Sequence, residues 1–129
     1  MATGKQSFVA VVDDDVSVRE AIVALLNSAG FTTLGYPSAE AFLRSKRARK
    51  ARCLLLDMRL PGKSGLQLHC QLREQGRDTP TFLLTADHDR DGRLRAQALD
   101  AGIVAVLYKP FDAEALVRLV KSAFEKPRG

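Results

Sequence analysis

The sequence lacks any apolar run of about 18 residues, the length that a membrane-spanning helix requires. It contains neither G-x-G-x-x-G nor a Walker A motif, so we do not expect nucleotide binding. The first six residues hold no apolar signal segment, and no linker, repeat or low-complexity stretch interrupts the chain. We therefore expect one cytoplasmic domain without a membrane segment, spanning residues 1–129 with a core of about 7–125.

Cysteine and histidine are also scarce. Cys53 and Cys70 are the only cysteines, and His69 and His88 are the only histidines. Neither pair has metal-ligand spacing or metal-ligand partners. Both cysteines stand among apolar residues, so we interpret them as small core residues in a reducing compartment, not as a disulfide. The two histidines are interpreted as ordinary helix and loop residues.

Positive charge is concentrated in one stretch. The net charge is +5, and residues 44–52 account for the whole excess. We interpret this stretch as a solvated connector; the alternative is a surface for an acidic partner or nucleic acid. Because no aromatic residues are interleaved for base stacking, we expect no direct nucleic acid binding from this domain. The cations of the stretch are Arg44, Lys46, Arg47, Arg49, Lys50 and Arg52.

Short apolar runs alternate with segments of helical spacing. The runs predict strands at 8–12, 32–36, 53–56, 81–84 and 104–108. Such alternation is typical of a parallel sheet with helices on both faces and right-handed crossovers. We expect an α/β fold, a (βα)5 doubly wound, flavodoxin-like sheet with strand order 2-1-3-4-5. The predicted helices begin near Val16, Ser38, Ser64, Asp91 and Asp112.

Four predicted strands end in side chains with possible chemistry. Asp13 and Asp14 follow the first strand, Asp57 the third, Thr85 the fourth and Lys109 the fifth. The carboxyl ends of parallel strands share one edge, so these residues should converge. Three carboxylates repel one another, but a hard cation such as Mg²⁺ makes them tolerable. A lysine and a hydroxyl facing them could bind phosphoryl oxygens, an arrangement that suits an aspartyl phosphate.

The motifs resemble the receiver domain of two-component response regulators. The resemblance covers about residues 7–125, and the segments at 16–19 and 38–43 are similar to the FixJ-like branch. Members of that branch often carry a C-terminal DNA-binding domain, which we do not expect within these 129 residues. The segments that carry the resemblance are Val11–Asp15, Leu56–Gly65, Leu84–Ala86 and Lys109–Phe111.

The resemblance implies a role for each residue at the predicted edge. Asp57 would accept a phosphoryl group from a histidine of a sensor histidine kinase. Asp14, Asp57 and the Met58 carbonyl would bind Mg²⁺, and Asp13 would act through water. The protein would then be a regulatory phospho-acceptor and not an enzyme with an external substrate.

Signal output follows from the same resemblance. Lys109 would bind a phosphoryl oxygen, its peptide bond to Pro110 would be cis, and Thr85 with Ala86 would act as the switch. The surface of the fourth helix, fifth strand and last helix would then control an output domain, a partner protein or a phosphorylation-dependent homodimer.

The sequence departs from the family pattern at Val106, where an aromatic switch residue is usual. Residues two apart in a strand share a face, so Tyr108 points the same way as Val106. We expect Tyr108 to carry any ring movement that couples Thr85 to the output surface.

Two other functions remain open. An aspartyl-phosphate phosphatase of the haloacid-dehalogenase type would need a second acid two residues after Asp57, where this chain has Arg59. A binding module could use the same fold without phosphorylation, but the complete acidic set argues against it.

Overall fold

Residues 7–86 and 92–125 are described by the structure, which is a computed structural model. Strands and helices alternate along the chain, and a 3-10 turn at Arg47–Lys50 precedes the third strand. The strands are β1 (Phe8–Val12), β2 (Thr33–Tyr36), β3 (Ala51–Asp57), β4 (Thr81–Thr85) and β5 (Ala105–Tyr108). The helices are α1 (Val16–Ser28), α2 (Ala39–Arg44), α3 (Gly65–Glu74), α4 (Arg93–Asp100) and α5 (Ala113–Glu125).

The strands form one parallel sheet in the order β2-β1-β3-β4-β5, which confirms the predicted topology. β1, β3 and β4 are central, and almost every residue in them is buried. Continuous apolar runs in place of alternation are expected when helices cover both faces of a sheet. The register pairs Asp57 with Leu84 and Thr85 with Tyr108, so the carboxyl ends of β3, β4 and β5 lie side by side.

Two hydrophobic cores lie on opposite faces of the sheet. Val9 and Leu55 point to the face covered by α1 and α5. Ala10 and Leu54, the immediate neighbours of these two residues in their strands, point to the face covered by α2, α3 and α4. Successive side chains of a strand alternate between faces, so a single apolar run serves both cores. Within the described residues, no helix combines the length and apolar character that crossing a membrane demands.

Side-chain caps start the helices close to the ends of the strands. The Asp15 carboxylate accepts a hydrogen bond from Val18 N–H at 3.1 Å, and Ser38 caps α2 in the same way. Ser64 and Gln67 form a reciprocal capping box at the start of α3. Such caps satisfy backbone donors that have no partner inside the helix. They therefore fix where α1 and α3 begin relative to the carboxyl edge.

The prediction for Cys70 was wrong, whereas Cys53 is buried as expected. Leu68 and Leu72 are four residues apart on α3 and both face the core. Cys70 lies two residues from each of them. Two residues correspond to about 200° around a helix, which places Cys70 on the exposed side. Apolar neighbours in sequence are thus a poor guide to burial in a helix.

The basic stretch is more ordered than a simple connector. It contains the 3-10 turn, in which Ala48 is buried, and β3 begins at Ala51, two residues earlier than predicted. The pairing of β1 with β3 shifts between Phe8 and Val9, which leaves Arg52 as an extra residue in β3. Such an irregularity re-aims a side chain. The Arg52 guanidinium lies over the Phe124 ring of α5, with 5.1 Å from its carbon to the ring centroid.

The sequence also gives predictions for His69, His88 and Asp91. His69 lies on α3 as expected, where it is buried with its Nε2 atom 2.9 Å from the Ala101 carbonyl oxygen. Burial lowers the pKa of His69 from its usual 6.5. His88 and Asp91 lie outside the described residues. The described part of the fourth helix begins at Arg93, after Gly92 in a left-handed conformation.

Candidate functional site

Asp13 and Asp14 follow β1 directly, but they differ in burial and in hydrogen bonding. Asp13 is fully buried, and its Oδ1 atom accepts a hydrogen bond from Asp15 N–H at 2.9 Å. Its backbone carbonyl accepts a second hydrogen bond from Arg19 Nη1 at 2.8 Å. Asp14 is exposed. One carboxylate is therefore held in place while its neighbour is open to solvent.

Asp57 ends β3 at the centre of the same edge. It is 7% exposed, and the next residue is held on both sides. Met58 N–H donates to the Leu84 carbonyl at 2.7 Å, and the Met58 carbonyl accepts from Gly65 N–H at 2.9 Å. The backbone around Asp57 is thus bonded to β4 on one side and to the start of α3 on the other.

The three aspartates converge as the sequence predicts. One carboxylate oxygen from each of Asp13, Asp14 and Asp57 lies within 4.8 Å of the other two. Lys109 Nζ lies 3.4 Å from Asp13 Oδ2 and 3.5 Å from Asp57 Oδ1. One ammonium group thus faces three carboxylates, so the cluster retains an excess of negative charge. Hard oxygen ligands in this number suit a divalent cation.

The electrostatic cost of this arrangement is visible at Asp57. Burial and the nearby Asp13 carboxylate raise the pKa of Asp57 from its usual 3.8 to about 6. The Lys109 ammonium and a hydrogen bond from Arg59 N–H act in the opposite direction but do not cancel the increase. Two carboxylates in a shared site disfavour ionising both. An added cation would favour the charged form of Asp57.

Thr85 and Lys109 complete the edge. Thr85 is the last residue of β4 and is buried, while Ala86 beside it is exposed. Lys109 follows β5, and its N–H donates to the Thr85 carbonyl at 2.7 Å. The Lys109–Pro110 peptide bond is cis, as expected. Thr85 and Lys109 are therefore joined through the backbone.

Val106 and Tyr108 share one face of β5. Both pack against the core beneath α2, α3 and α4, whereas Leu107 between them belongs to the opposite core. Val106 is buried and Tyr108 is half-buried. This confirms that the two side chains point the same way, and it leaves the coupling role of Tyr108 as a prediction.

Sequence reasoning missed two residues that shape the site. Arg19 supports Asp13 from α1, and its stem passes so close to Gly35 that a Cβ atom there would lie 2.9 Å from Arg19 Cδ. Gly65 allows α3 to approach Asp57. Gly65 lies at a predicted helix start and in the segment Leu56–Gly65 that carries the resemblance, but the sequence predicts no contact between it and Asp57. Neither contact has a local sequence signal, because each joins elements that are distant along the chain.

Comparison with known proteins agrees with this geometry. The family model described as the response regulator receiver domain matches residues 9–121. The chain is 37% identical over 121 residues to the transcriptional regulatory protein TdiR of Thauera aromatica, covering 94% of this chain and 52% of TdiR. It is 32% identical over 116 residues to the transcriptional regulatory protein FixJ of Bradyrhizobium diazoefficiens, covering 90% of this chain and 56% of FixJ. The chain thus spans about half the length of these curated relatives.

A solved structure gives the same result at the level of the fold and the family. The BeF3-activated DrrB receiver domain matches with a TM-score of 0.79 and 30% identity. The match covers 92% of this chain and 97% of that domain. Together with FixJ among its relatives, these matches confirm the predicted resemblance. The chain belongs to the receiver domain family of two-component response regulators, in its FixJ-like branch.

Proposed function

We propose that this receiver domain, spanning residues 1–129, stores a signal as a phosphoryl group on Asp57. One observation carries the proposal: the carboxylates of Asp13, Asp14 and Asp57 meet within 4.8 Å, and Lys109 Nζ contacts two of them. A nucleophilic carboxylate, an acidic cluster for a cation and an ammonium for the phosphoryl oxygens are the parts that an aspartyl phosphate needs.

The donor set fits Mg²⁺. Asp14 and Asp57 would bind the ion directly together with the Met58 carbonyl oxygen, which has a second lone pair beside the hydrogen bond from Gly65. Asp13 is fixed by Asp15 N–H and Lys109, and it would act through a water molecule. When bound, Mg²⁺ would neutralise charge on these carboxylates and on the phosphoryl oxygens.

Transfer of the phosphoryl group to Asp57 needs no external base, because the attacking group is already a carboxylate. A carboxylate oxygen of Asp57 forms a bond to phosphorus as the bond between phosphorus and the histidine nitrogen of the kinase breaks, and that nitrogen keeps the electron pair. Lys109 moves its ammonium from the Asp57 carboxylate to a phosphoryl oxygen. Hydrolysis removes the group: water attacks phosphorus, the bond between phosphorus and the Asp57 oxygen breaks, and that oxygen keeps the electron pair. Inorganic phosphate leaves with the protons of the water, and Asp57 is again a carboxylate.

The wider partners follow from the relatives. TdiR and FixJ are named as transcriptional regulatory proteins, so we propose that the phosphorylated domain controls transcription through an output domain or partner. A sensor histidine kinase would be the donor, and the α4-β5-α5 surface would form a homodimer on phosphorylation. We propose that phosphoryl transfer and dimerisation both take place in the cytoplasm. The phosphatase and the phosphorylation-independent module are not favoured by the comparisons.

Intact-mass measurement after incubation with Mg²⁺ and acetyl phosphate tests the proposal. The unaltered chain should gain one phosphoryl group, and Asp57→Asn should gain none. Asp100→Asn is the matched control, because Asp100 is exposed at the end of α4 and should not affect labelling. Full labelling of Asp57→Asn would show that another residue accepts the group.

A further inference from the structure

A second charged surface lies at the amino-terminal ends of the strands, opposite the carboxyl edge that holds Asp57. We call it the basic edge. Its members join the end of α2, the 3-10 turn and the segment after α3. β3 runs from this edge to Asp57, and seven residues of strand span about 20 Å. The basic edge consists of Arg44, Lys46, Arg47, Arg49, Lys50 and Arg77.

The charges of the basic edge are not neutralised. Within the described ranges, none of its six side chains forms an ion pair with a carboxylate. Five of them are exposed, and Arg77 is half-buried. The pKa of the Arg77 guanidinium is lowered by burial and by the nearby positive charge of Arg49. Like charges are therefore gathered here at a cost to the folded state.

Aromatic rings and a carbonyl, not carboxylates, hold two of the arginines in place. The guanidinium carbon of Arg47 lies 5.9 Å from the centroid of the Phe8 ring. That of Arg77 lies 5.6 Å from the centroid of Phe42, and Arg77 Nη2 donates to the Ala48 carbonyl at 2.9 Å. These contacts order the side chains and leave their charge available to a ligand.

We infer that the basic edge binds the phosphate backbone of double-stranded DNA. Arginine supplies four of the six cations, and its planar guanidinium matches phosphate oxygens in pairs. Phe8 and Phe42 are buried, so no ring is available to stack on unpaired bases. Binding should therefore be electrostatic and independent of base sequence.

The choice of DNA over other polyanions rests on the proposed control of transcription. It departs from the expectation of no direct nucleic acid binding, which was based on the lack of aromatic residues for base stacking. Because the basic edge and Asp57 lie at opposite ends of β3, DNA contact and phosphorylation can occur together. The contact would add affinity to any output domain bound nearby.

Fluorescence anisotropy with a labelled random duplex of about 20 base pairs, in about 50 mM salt, tests the inference on the unphosphorylated 129-residue chain. Arg49→Gln/Lys50→Gln should weaken binding about tenfold and lower the log–log salt slope by about 2. Arg118→Gln/Lys121→Gln removes the same charge from exposed positions of α5 and should change the affinity less than about twofold.

Three results would overturn the inference: no binding in low salt, equal losses in both double variants, or equally tight binding of poly-glutamate or phosphatidylglycerol vesicles. Asp57→Asn should bind the duplex as the parent does. A failure of phosphoryl uptake and a failure of DNA binding are therefore separate results, each read from its own measurement.

Discussion

Gly65 lies so close to Asp57 that a Cβ atom at position 65 would be 2.3 Å from the Asp57 carbonyl oxygen. The same atom would lie 3.0 Å from Leu83 Cδ1. The first residue of α3 therefore rests directly on the backbone that carries the Asp57 carboxylate. Absence of a side chain at one position lets a helix support the site.

Gly65→Ala should displace α3 from β3 and slow phosphoryl uptake at Asp57. Overpacking should lower the free energy of unfolding by about 1–3 kcal/mol, although alanine favours a helix over glycine. Ser64→Ala is the control, because loss of the cap costs about 1 kcal/mol without a clash at Asp57. Acetyl phosphate labelling rates and urea unfolding measure both effects. A more stable Gly65→Ala protein with normal labelling would contradict the prediction.

Mg²⁺ should stabilise the folded protein, because it relieves repulsion among Asp13, Asp14 and Asp57 and binds where they converge. At one hundred times its Kd the gain would be about 2.7 kcal/mol. Asp14→Ala should remove most of this gain, and Asp100→Ala should keep it. Thermal unfolding with and without MgCl₂, at matched ionic strength, measures the response. A parent Tm that does not change with Mg²⁺ would count against the proposed Mg²⁺ site.

Asp57→Asn should change how stability depends on pH when Mg²⁺ is chelated. The folded pKa of Asp57 is about 6, above the usual 3.8, so the folded state binds this proton more tightly than the unfolded state. Ionising Asp57 therefore costs stability as pH rises from about 4 to about 6. The Asn variant should match the parent near the lower pH and exceed it near neutrality in urea titrations. A constant difference between the two proteins would refute the shift.

Tyr108→Ala should reduce phosphorylation-dependent dimerisation and leave phosphoryl uptake intact, because its ring shares a face with Val106 and lies opposite Thr85 in the register. Val106→Ala should cost about 1 kcal/mol of packing and change the phosphorylation response little. Analytical ultracentrifugation with and without acetyl phosphate compares the variants. Normal dimerisation of Tyr108→Ala would instead place the coupling in the segment after Thr85, at 86–91.

The sheet and its functional edge could be predicted because their signals are local. Apolar runs such as Leu54–Leu56 mark strands buried on both faces, and the polar residue after each run marks its carboxyl end. Parallel topology then brings Asp13, Asp57 and Lys109 together without further information. The distances within the cluster add the electrostatic consequence, which is the raised pKa of Asp57.

The remaining features depend on contacts between distant segments. Arg52 appears within a run of charge, but its direction depends on a shift in the pairing of β1 with β3. Arg19 supports Asp13 because of how α1 packs, and Gly65 meets Asp57 because of how α3 begins. The predicted burial of Cys70 was wrong because a residue's angular position around the helix decides whether it faces solvent. The apolar character of its neighbours in sequence does not.

The two cysteines differ in burial, so their reactivity towards a thiol reagent reports whether the chain is folded. Cys53 pairs with Val9 inside the sheet, and burial raises the pKa of its thiol to about 12. Cys70 is exposed on α3. A thiol reagent at neutral pH should therefore modify one group per folded molecule and two per unfolded molecule. The chain has no tryptophan, so the number of modified thiols offers a direct measure of how often the sheet comes apart.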